Sequence, residues 1–198
     1  KYTSIVLAFL IISAPLCNAS TPSNISPTNT FHSERFSASS ALGFLTGISN
    51  EYVYADSMDD KLSELDWKIK GAAIIKGDIS YNLLHWLTAN ISGWTTLGKG
   101  SGVMDDYDWL NPNQSQWTHW SHSPNTHLNY ANEVDFNLRD WIAQNEQYKV
   151  GVSAGYLENK YSFLAKGGCY DYYNGQYTGC WQPNQRGIGY KQDFSTVY

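Results

Sequence analysis

Three carboxylates occur within four residues of the chain, at Asp105, Asp106 and Asp108. In an extended segment successive side chains point to opposite faces, so Asp106 and Asp108 share one face while Asp105 and Tyr107 share the other. Two acids that face the same space cannot both ionise freely unless something solvates or pairs them, and such a pair can bind and polarise a water molecule. The pattern therefore indicates hydrolysis. The alternative is an acidic surface turn, because runs of charge usually face solvent.

Three histidines, His119, His122 and His127, lie in a segment rich in Ser, Asn and Pro that we interpret as a loop between strands. Their spacings are only weakly similar to those of metal ligands. A zinc peptidase would carry H-E-x-x-H on a helix, and the sequence has no such motif. We therefore predict no metal site and interpret these residues as loop histidines.

The composition limits the classes of protein to which this chain can belong. Its net charge of -5 and the lack of a basic run argue against a nucleic-acid binder. With 198 residues the chain has the size of one domain. Its 15 Tyr, 8 Trp and 7 Phe suit β-strands and the aromatic girdles of membrane barrels.

The first 19 residues have the pattern of a secretory signal peptide. Lys1 precedes an apolar stretch over residues 5–12, and the small residue Ala19 predicts cleavage before Ser20. From Ser20 onward no apolar run reaches the ~20 residues that a membrane-spanning helix needs. We therefore expect residues 1–19 to be a signal peptide and residues 20–198 to belong to a single exported domain.

If Cys17 is removed with the signal peptide, Cys169 and Cys180 are the cysteines that remain. They flank a turn-rich segment over residues 170–175, and an even pair of cysteines in an oxidising compartment favours a disulfide. We predict a bridge between Cys169 and Cys180 across the tip of a hairpin. Two free thiols are the alternative.

Beyond residue 35, apolar residues alternate with polar ones at a period of two, and helical spacing does not fit. The clearest example runs from Leu128 to Arg139. Similar alternation covers residues 65–70, 87–96 and 148–156. In the clearest example the predicted apolar face comprises Leu128, Tyr130, Val134, Phe136 and Leu138. We predict about six strands in all, near residues 36–54, 59–76, 79–97, 126–143, 147–165 and from 186 onward.

The predicted connections are of two kinds. Turns near Gly77-Asp78 and Asn145-Glu146 are short, whereas residues 98–126 and 166–185 are long and polar. Short turns at one end, long loops at the other and alternating strands predict a transmembrane antiparallel β-barrel of the outer membrane, with apolar residues facing lipid and polar residues facing the lumen. A soluble sandwich is the alternative. Six strands are fewer than the ~8 of the smallest bacterial barrels, so we expect further strands after Tyr198.

A set of short motifs runs through nearly all of the chain after the predicted signal peptide. The motifs are Glu51-Tyr-Val-Tyr54, Leu65-Asp-Trp-Lys68, Ala73-Ile-Ile-Lys-Gly77, Gly93-Trp-Thr-Thr-Leu-Gly98, Met104-Asp-Asp-Tyr-Asp-Trp109, Leu128-Asn-Tyr-Ala-Asn-Glu133, Gly155-Tyr156, Tyr161-Ser-Phe163, Gly167-Gly168 and Ile188-Gly-Tyr-Lys-Gln192. Together they resemble the omptin family of outer-membrane proteases. The segments 105–109 and 172–175 are most similar to the plasminogen-activator branch of that family.

The resemblance implies a ten-stranded barrel that cleaves polypeptides beside Arg or Lys, in a groove at its extracellular rim. Asp106 and Asp108 would form the family's acidic pair. This pair faces an Asp-His couple, whose His takes a proton from the water that attacks the scissile carbonyl. No covalent intermediate is implied, and we do not assign Ser121 as a nucleophile. The couple belongs to a later strand, so we expect residues 1–198 to lack it.

The resemblance also assigns a specificity pocket. Glu51 corresponds to an acid that binds a basic side chain, and Met104 and Ile188 correspond to apolar walls. This assignment is physically reasonable, because an Arg needs a carboxylate for its guanidinium and apolar surface for its stem. His119 stands where family members more often carry an acid, so preference beyond the basic residue is left open.

A second implied site binds lipopolysaccharide, as an activating lipid, through Tyr156, Glu158 and Lys160. Lys160 stands where Arg is usual, and Asp193 stands where the family has a further Arg. A Lys lacks the planar fork of Arg, and an acid repels phosphate, so we expect dependence on lipopolysaccharide to be weaker or differently built. The alternative for this trio is an interfacial girdle with one snorkelling Lys. We expect no other cofactor.

The leading hypothesis is an aspartic-type endopeptidase in the bacterial outer membrane, with its active site facing outward. One alternative is a barrel whose extracellular loops act as an adhesin without cleavage. Another is a truncated, inactive remnant of the protease. Asp106 and Asp108 favour the first, whereas the expected absence of the Asp-His couple leaves the last open.

Overall fold

A computed structural model describes residues 30–32, 35–55, 60–144 and 149–198. The predicted signal peptide and the predicted turn at Asn145-Glu146 lie outside the described residues. In the described part of the chain, no helix is long and apolar enough to cross a membrane. The strands are β1 (Thr30–His32), β2 (Phe36–Tyr54), β3 (Lys61–Asn82), β4 (Leu87–Thr96), β5 (Gly100–Asp108), β6 (His119–Gln144), β7 (Lys149–Tyr172) and β8 (Tyr177–Val197).

These strands form one antiparallel sheet in the order β1-β2-β3-β4-β6-β7-β8, with β5 paired to β3 and β6. β3 pairs with β4 through residues 74–82 and with β5 through residues 63–71, so β4 and β5 lie end to end along one strand path. The three-residue β1 pairs with the start of β2. Six long strand paths result, and the predicted all-β antiparallel class is confirmed.

The predicted turn at Gly77-Asp78 is wrong. Gly77 lies inside β3, where it pairs with Ser40 of β2 and with Gly93 of β4. The chain turns instead at residues 83–86. Glycine and aspartate are typical of turns, but hydrogen bonding to a strand on each side keeps this segment extended.

The two predicted long loops are also mostly strand. β5 and the first part of β6 occupy much of residues 98–126, while the end of β7 and the start of β8 occupy much of residues 166–185. The connections that remain are residues 97–99, 109–118 and 173–176. The predicted loop histidines are therefore on a strand, because β6 begins at His119. Polar composition indicated loops, and pairing with neighbouring strands overrode it.

Around β4, apolar side chains face outward and polar side chains face inward, as predicted. Ile79, Ile91 and Phe136 lie side by side on β3, β4 and β6 and are 45%, 48% and 51% exposed. The inward Asn90 is buried and donates a hydrogen bond to Asp78 Oδ2 at 3.0 Å. We call the exposed apolar residues of this part the apolar band; they include Leu42, Phe44, Ile75, Ile79, Ile91, Val134, Phe136, Leu138, Val150 and Val152.

Nearer the other end of the strands the polarity is reversed, and the predicted outward position of apolar residues is wrong there. Leu65, Trp67 and Ile69 of β3 are buried. A shift in register between Ile69 and Gly71 exchanges the two faces of β3. Leu128 is likewise buried rather than on the outward face with Tyr130, because β6 has a shift between these two residues.

The apolar core lies on the inner face of this reversed part. Trp67 is fully buried, stacks on Tyr190 of β8 at 5.4 Å and contacts Phe163 of β7 at 5.3 Å between ring centroids. Ser49 of β2 donates a hydrogen bond to Gln192 Oε1 of β8 at 2.9 Å. Because β2 and β8 are distant in the sheet order, these contacts show that the sheet curves around its inner face.

Truncation of Trp67 tests this core. We expect Trp67→Ala to lower the free energy of unfolding by about 3–5 kcal/mol, since it removes a buried aromatic ring and leaves a cavity. Urea unfolding of the refolded protein in detergent micelles measures this. Trp86→Ala is the matched control, because Trp86 is 39% exposed, and we expect it to cost less than about 1 kcal/mol. Equal losses in the two variants would contradict the assignment of the core.

Candidate active site

β5 carries the acidic segment and is hydrogen-bonded along both edges. On β3, Leu65 pairs with Asp106 and Asp66 pairs with Asp105; on β6, Ser121 pairs with Asp106. Residues 97–99 interrupt the strand path between β4, which contributes to the apolar band, and β5. The acidic segment follows this interruption and therefore lies beyond the apolar band. Asp106 and Asp108 face the interior while Asp105 faces outward, so the predicted alternation of side chains is confirmed.

Residues directly opposite one another in antiparallel strands point to the same face of the sheet. One such inward row contains Glu51 of β2, Leu65, Asp106 and Ser121. The next row contains Ser63 of β3, Asp108, His119 of β6 and Tyr172 of β7. The register therefore brings Glu51, predicted for the specificity pocket, onto the same face as the two predicted catalytic acids.

A cavity of about 290 Å³ opens at these rows. Asp106 contributes the carboxylate to its wall, and Met104 and Ile188, predicted as apolar walls, line it as well. Met104 is 1% exposed and Ile188 is 39% exposed. The further lining residues are Ser121, Ser123, Gly167, Tyr172, Trp181, Gln185 and Gly187.

The electrostatics of Asp106 differ from those of a surface carboxyl. The pKa of Asp106 is raised to about 6. Burial is the largest cause and the charge of Asp108 is the next, a hydrogen bond from Ser63 acts in the opposite direction, and the charge of Glu51 contributes to the rise. The Ser63 Oγ donates to Asp106 Oδ1 at 3.3 Å. Asp106 can therefore hold or release a proton near neutral pH, as a group that activates water must.

Aromatic side chains surround the outer end of the cavity. His119 is buried, contacts the rings of Tyr172 at 4.8 Å and Tyr173 at 4.4 Å, and its Nδ1 lies 2.9 Å from Thr118 Oγ1. Burial raises the pKa of Tyr172, and the charges of Asp106 and then Asp108 add to the rise. Tyr172 therefore lies in the field of the acidic pair. Among the described residues, no group of three or more His, Cys, Asp or Glu side chains is placed to hold a metal ion.

The part of the chain that the structure describes has no serine nucleophile elbow either. The pattern G-x-S-x-G occurs at residues 151–155, but this segment is the interior of β7. The elbow requires a sharp turn from a strand into a helix, which exposes the serine. Ser121, in contrast, is 6% exposed and lies directly opposite Asp106.

The residues predicted to bind lipopolysaccharide lie on the outer face of β7, away from the cavity. Lys160 Nζ forms an ion pair with Glu158 Oε1 at 2.7 Å, and Tyr156 donates a hydrogen bond to Ser195 Oγ at 2.9 Å. Asp193 of β8 is directly opposite Lys160. Acids therefore flank the one basic group of this trio.

The predicted disulfide partners are directly opposite each other on β7 and β8, and the structure joins Cys169 to Cys180. Beyond them the hairpin tip closes at residues 173–176, where Tyr173 and Asn174 adopt positive φ angles of 54° and 55°. The same hairpin carries Tyr172 and Trp181 on the wall of the cavity. The disulfide thus joins two strands that line the candidate active site.

The model of the Omptin family matches residues 32–198. The chain belongs to the omptin family. It is 46% identical over 201 residues to the plasminogen activator of Yersinia pestis, covering 100% of this chain and 62% of that protein. It is 40% identical over 195 residues to Protease 7 of Escherichia coli (strain K12), covering 96% of this chain and 61% of that protein.

The fold agrees with this omptin assignment. The crystal structure of the outer membrane protease OmpT from Escherichia coli matches with a TM-score of 0.79 at 40% identity, covering 83% of this chain and 58% of that one. The outer membrane protease OmpP of Escherichia coli (strain K12) is 39% identical over 198 residues. The omptin described here is an outer-membrane protein with the all-β architecture of such a barrel, and it spans about three-fifths of the length of the relatives it matches.

Several residues of the candidate site were not found from the sequence. Tyr172 and Trp181 lie on the wall of the cavity, and Ser63 donates a hydrogen bond to Asp106. All three come from segments distant in sequence from the acidic segment. The register of β3 against β5 is the signal that would identify Ser63, since it pairs with Asp108.

The unusual pKa of Asp106 can be measured directly. In the folded protein we expect the carboxyl of Asp106 to titrate near pH 6 by ¹³C NMR, with the resonance assigned from Asp106→Asn. Asp108→Asn removes a like charge, so we expect it to lower the midpoint while leaving it above 3.8 because burial is the larger cause. Glu64→Gln, on the outward face of β3, is the control that we expect to leave the midpoint unchanged.

The same shift predicts a pH dependence of stability. The folded protein binds more protons at Asp106 than the unfolded chain does between about pH 4, near the ordinary value of 3.8, and about pH 6. Stability therefore falls as the pH rises through this window. We expect the free energy of unfolding of Asp106→Asn, measured by urea unfolding, to fall less between about pH 4 and about pH 6 than that of the wild type. An equal fall in the two proteins would contradict the raised pKa of Asp106.

Proposed function

We propose that the protein is an outer-membrane endopeptidase that cleaves polypeptides beside basic residues. The main support is Asp106, a carboxylate of raised pKa on the wall of a cavity, with Asp108 on the same face. The relatives named above are called proteases or, in one case, a plasminogen activator. The site lies beyond the apolar band, at the end of the strands that carries the long connection over residues 109–118, so we infer that it faces the outside of the cell.

The proposed mechanism is attack by an activated water. Asp106 and Asp108 hold the water between them, because a carboxylate with a pKa of about 6 accepts a hydrogen bond from water and tolerates transient protonation. The base that takes the proton would be the His of the Asp-His couple that the resemblance to the omptin family implies. In this aspartic-type mechanism the side chains that contact Asp106 restrain the carboxyl, and Ser63 is one of them.

Specificity for a basic side chain follows from the charges on the inner face. Glu51 is 8% exposed and lies in the same row as Asp106, and its charge is among those that act on Asp106. A guanidinium in the cavity would reduce the repulsion among these acids while Met104 and Ile188 contact its alkyl stem. We therefore propose Arg- and Lys-containing polypeptides as the substrates.

We also propose lipopolysaccharide as an activating lipid, bound on the outer face through Tyr156, Glu158 and Lys160. Lys160 carries the positive charge that a phosphate needs, and its position on β7 is on the outward side of the sheet. Glu158 at 2.7 Å and Asp193 directly opposite reduce the net charge there. The proposed dependence on the lipid is accordingly weak.

Cleavage tests the main proposal. The protein from its complete reading frame, reconstituted with lipopolysaccharide, should cleave a fluorogenic peptide that contains Arg. We expect Asp106→Ala to lower kcat at least ~1000-fold, because it removes a group that contacts the attacking water. Glu64→Gln is the control. Omitting lipopolysaccharide measures the proposed lipid dependence in the same assay.

Two outcomes contradict this function. Undiminished cleavage by Asp106→Ala would remove the acidic pair from the mechanism. No cleavage by the intact protein, together with binding to extracellular matrix, would favour the adhesin instead.

The pocket assignment gives a second test. We expect Glu51→Gln to raise KM for an Arg peptide roughly 10- to 100-fold, since a hydrogen bond between charged groups contributes about 1.5–3 kcal/mol. A peptide with norleucine in place of Arg is the matched control and should show little change between the two enzymes. A similar loss with both peptides would mean that Glu51 acts on the fold rather than on the basic side chain.

A further inference from the structure

The outward face of β5 holds a carboxylate that the proposed mechanism does not use. Asp105 is 6% exposed although it points away from the interior. His122 Nδ1 lies 2.7 Å from Asp105 Oδ1, and Lys68 Nζ donates to Asp105 Oδ2 at 2.9 Å. Each oxygen of Asp105 therefore has its own partner, one on β6 and one on β3.

These contacts join β5, which carries the acidic segment, to the strand on each side of it. Asp105 is directly opposite His122, and the next pair along the same two strands is Asp106 opposite Ser121. The two pairs are back to back, one on the outer face and one on the inner face of the sheet. Any rotation or slip of β5 that breaks the outer contacts also moves the Asp106 carboxyl.

The backbone pairing of β5 is regular over only part of its length. It is nine residues long, and register shifts occur between Ile69 and Gly71 on the β3 side and between Gly102 and Met104 on the β6 side. The connection over residues 109–118 follows it directly. Regular pairing with both neighbouring strands covers residues 104–108, between the irregular pairing at one end and the loop at the other, and side-chain contacts add to this backbone restraint.

We propose that Asp105, His122 and Lys68 form an outer clasp that positions Asp106 in the active site, with all three acting as positioning residues rather than catalytic ones. This inference rests on the proposed function only for its effect on catalysis. The effect of the clasp on the pKa of Asp106 does not depend on the proposed function.

The charges around the clasp support an ionised Asp105. Burial acts to raise the pKa of Asp105, but hydrogen bonds from Lys68 and His122 outweigh burial and lower it. A hydrogen bond to Asp105 raises the pKa of Lys68 more than its own burial lowers it. The other groups facing the clasp are Asp66 on β3, Tyr107 on β5, Trp120 on β6 and the Cys169–Cys180 disulfide on β7 and β8.

The test uses variants of the complete protein in lipopolysaccharide-containing micelles. Asp105→Ala removes both contacts, and Lys68→Met removes one while changing only a half-exposed side chain. His122→Asn keeps a donor near the position of Nδ1, whereas His122→Phe keeps a ring of similar size without the donor. Lys70→Met, an exposed position on the same strand, is the matched control.

Two measurements are made on each variant. The first is the ¹³C titration midpoint of the Asp106 carboxyl, which does not depend on cleavage. The second is kcat and KM for the Arg peptide. We expect Asp105→Ala to move the midpoint from about 6 toward 3.8, as the carboxyl becomes better hydrated. We expect kcat to fall about tenfold, with KM within twofold, because misplacement of a reacting group lowers kcat.

We expect the remaining variants to change the Asp106 midpoint and kcat in proportion to the contacts that they remove. Lys68→Met and His122→Phe should show smaller changes in the same direction, and His122→Asn should restore most of what His122→Phe loses. Lys70→Met should match the wild type. If Asp105→Ala fails to fold, Lys68→Met, His122→Phe and His122→Asn are compared with the wild type and with Lys70→Met.

The outcomes separate the clasp from the proposed function. An Asp106 midpoint and a kcat that stay at wild-type values in Asp105→Ala, or in both Lys68→Met and His122→Phe, would overturn the clasp while leaving the protease intact. A wild type that does not cleave, but whose Asp106 midpoint moves in these variants, would overturn the protease and support the clasp.

Discussion

Hydrogen bonding along both edges of β5 is the constraint on which the site depends. A strand paired on one side to β3 and on the other to β6 cannot rotate about its own axis without breaking two ladders. Consecutive residues must then face opposite ways. Asp105 therefore faces outward and Asp106 faces the interior. The two carboxyls are neighbours in sequence but lie in different environments.

Register shifts determine what each face contacts along the length of a strand. With strict alternation from Leu65, residues Ile75 and Ile79 would point inward with Trp67. The shift between Ile69 and Gly71 changes the phase, so Trp67 is in the core while Ile75 and Ile79 are exposed in the apolar band. One strand can thus supply an apolar interior around the site and an apolar exterior in lipid.

The sequence predicted the antiparallel class, the apolar band and the facing of the acidic pair, because all three follow from a period of two. It did not predict where the phase changes, since a register shift depends on the partner strand. Leu128 was placed on the wrong face for this reason. Gly77 was interpreted as a turn residue because its pairing with Ser40 and Gly93 is not visible in local composition.

In the proposed mechanism, repulsion among the acids of the inner face would connect binding with catalysis. On the inner face the charges of Asp108 and Glu51 both act on Asp106, and this repulsion contributes to the raised pKa of Asp106. A cation entering the cavity relieves that repulsion and favours the ionised form of Asp106. A substrate with a basic side chain would therefore increase the fraction of Asp106 that is ready to accept a hydrogen bond from water. A neutral substrate of the same shape would leave the repulsion unrelieved, so discrimination would extend to the chemical step as well as to binding.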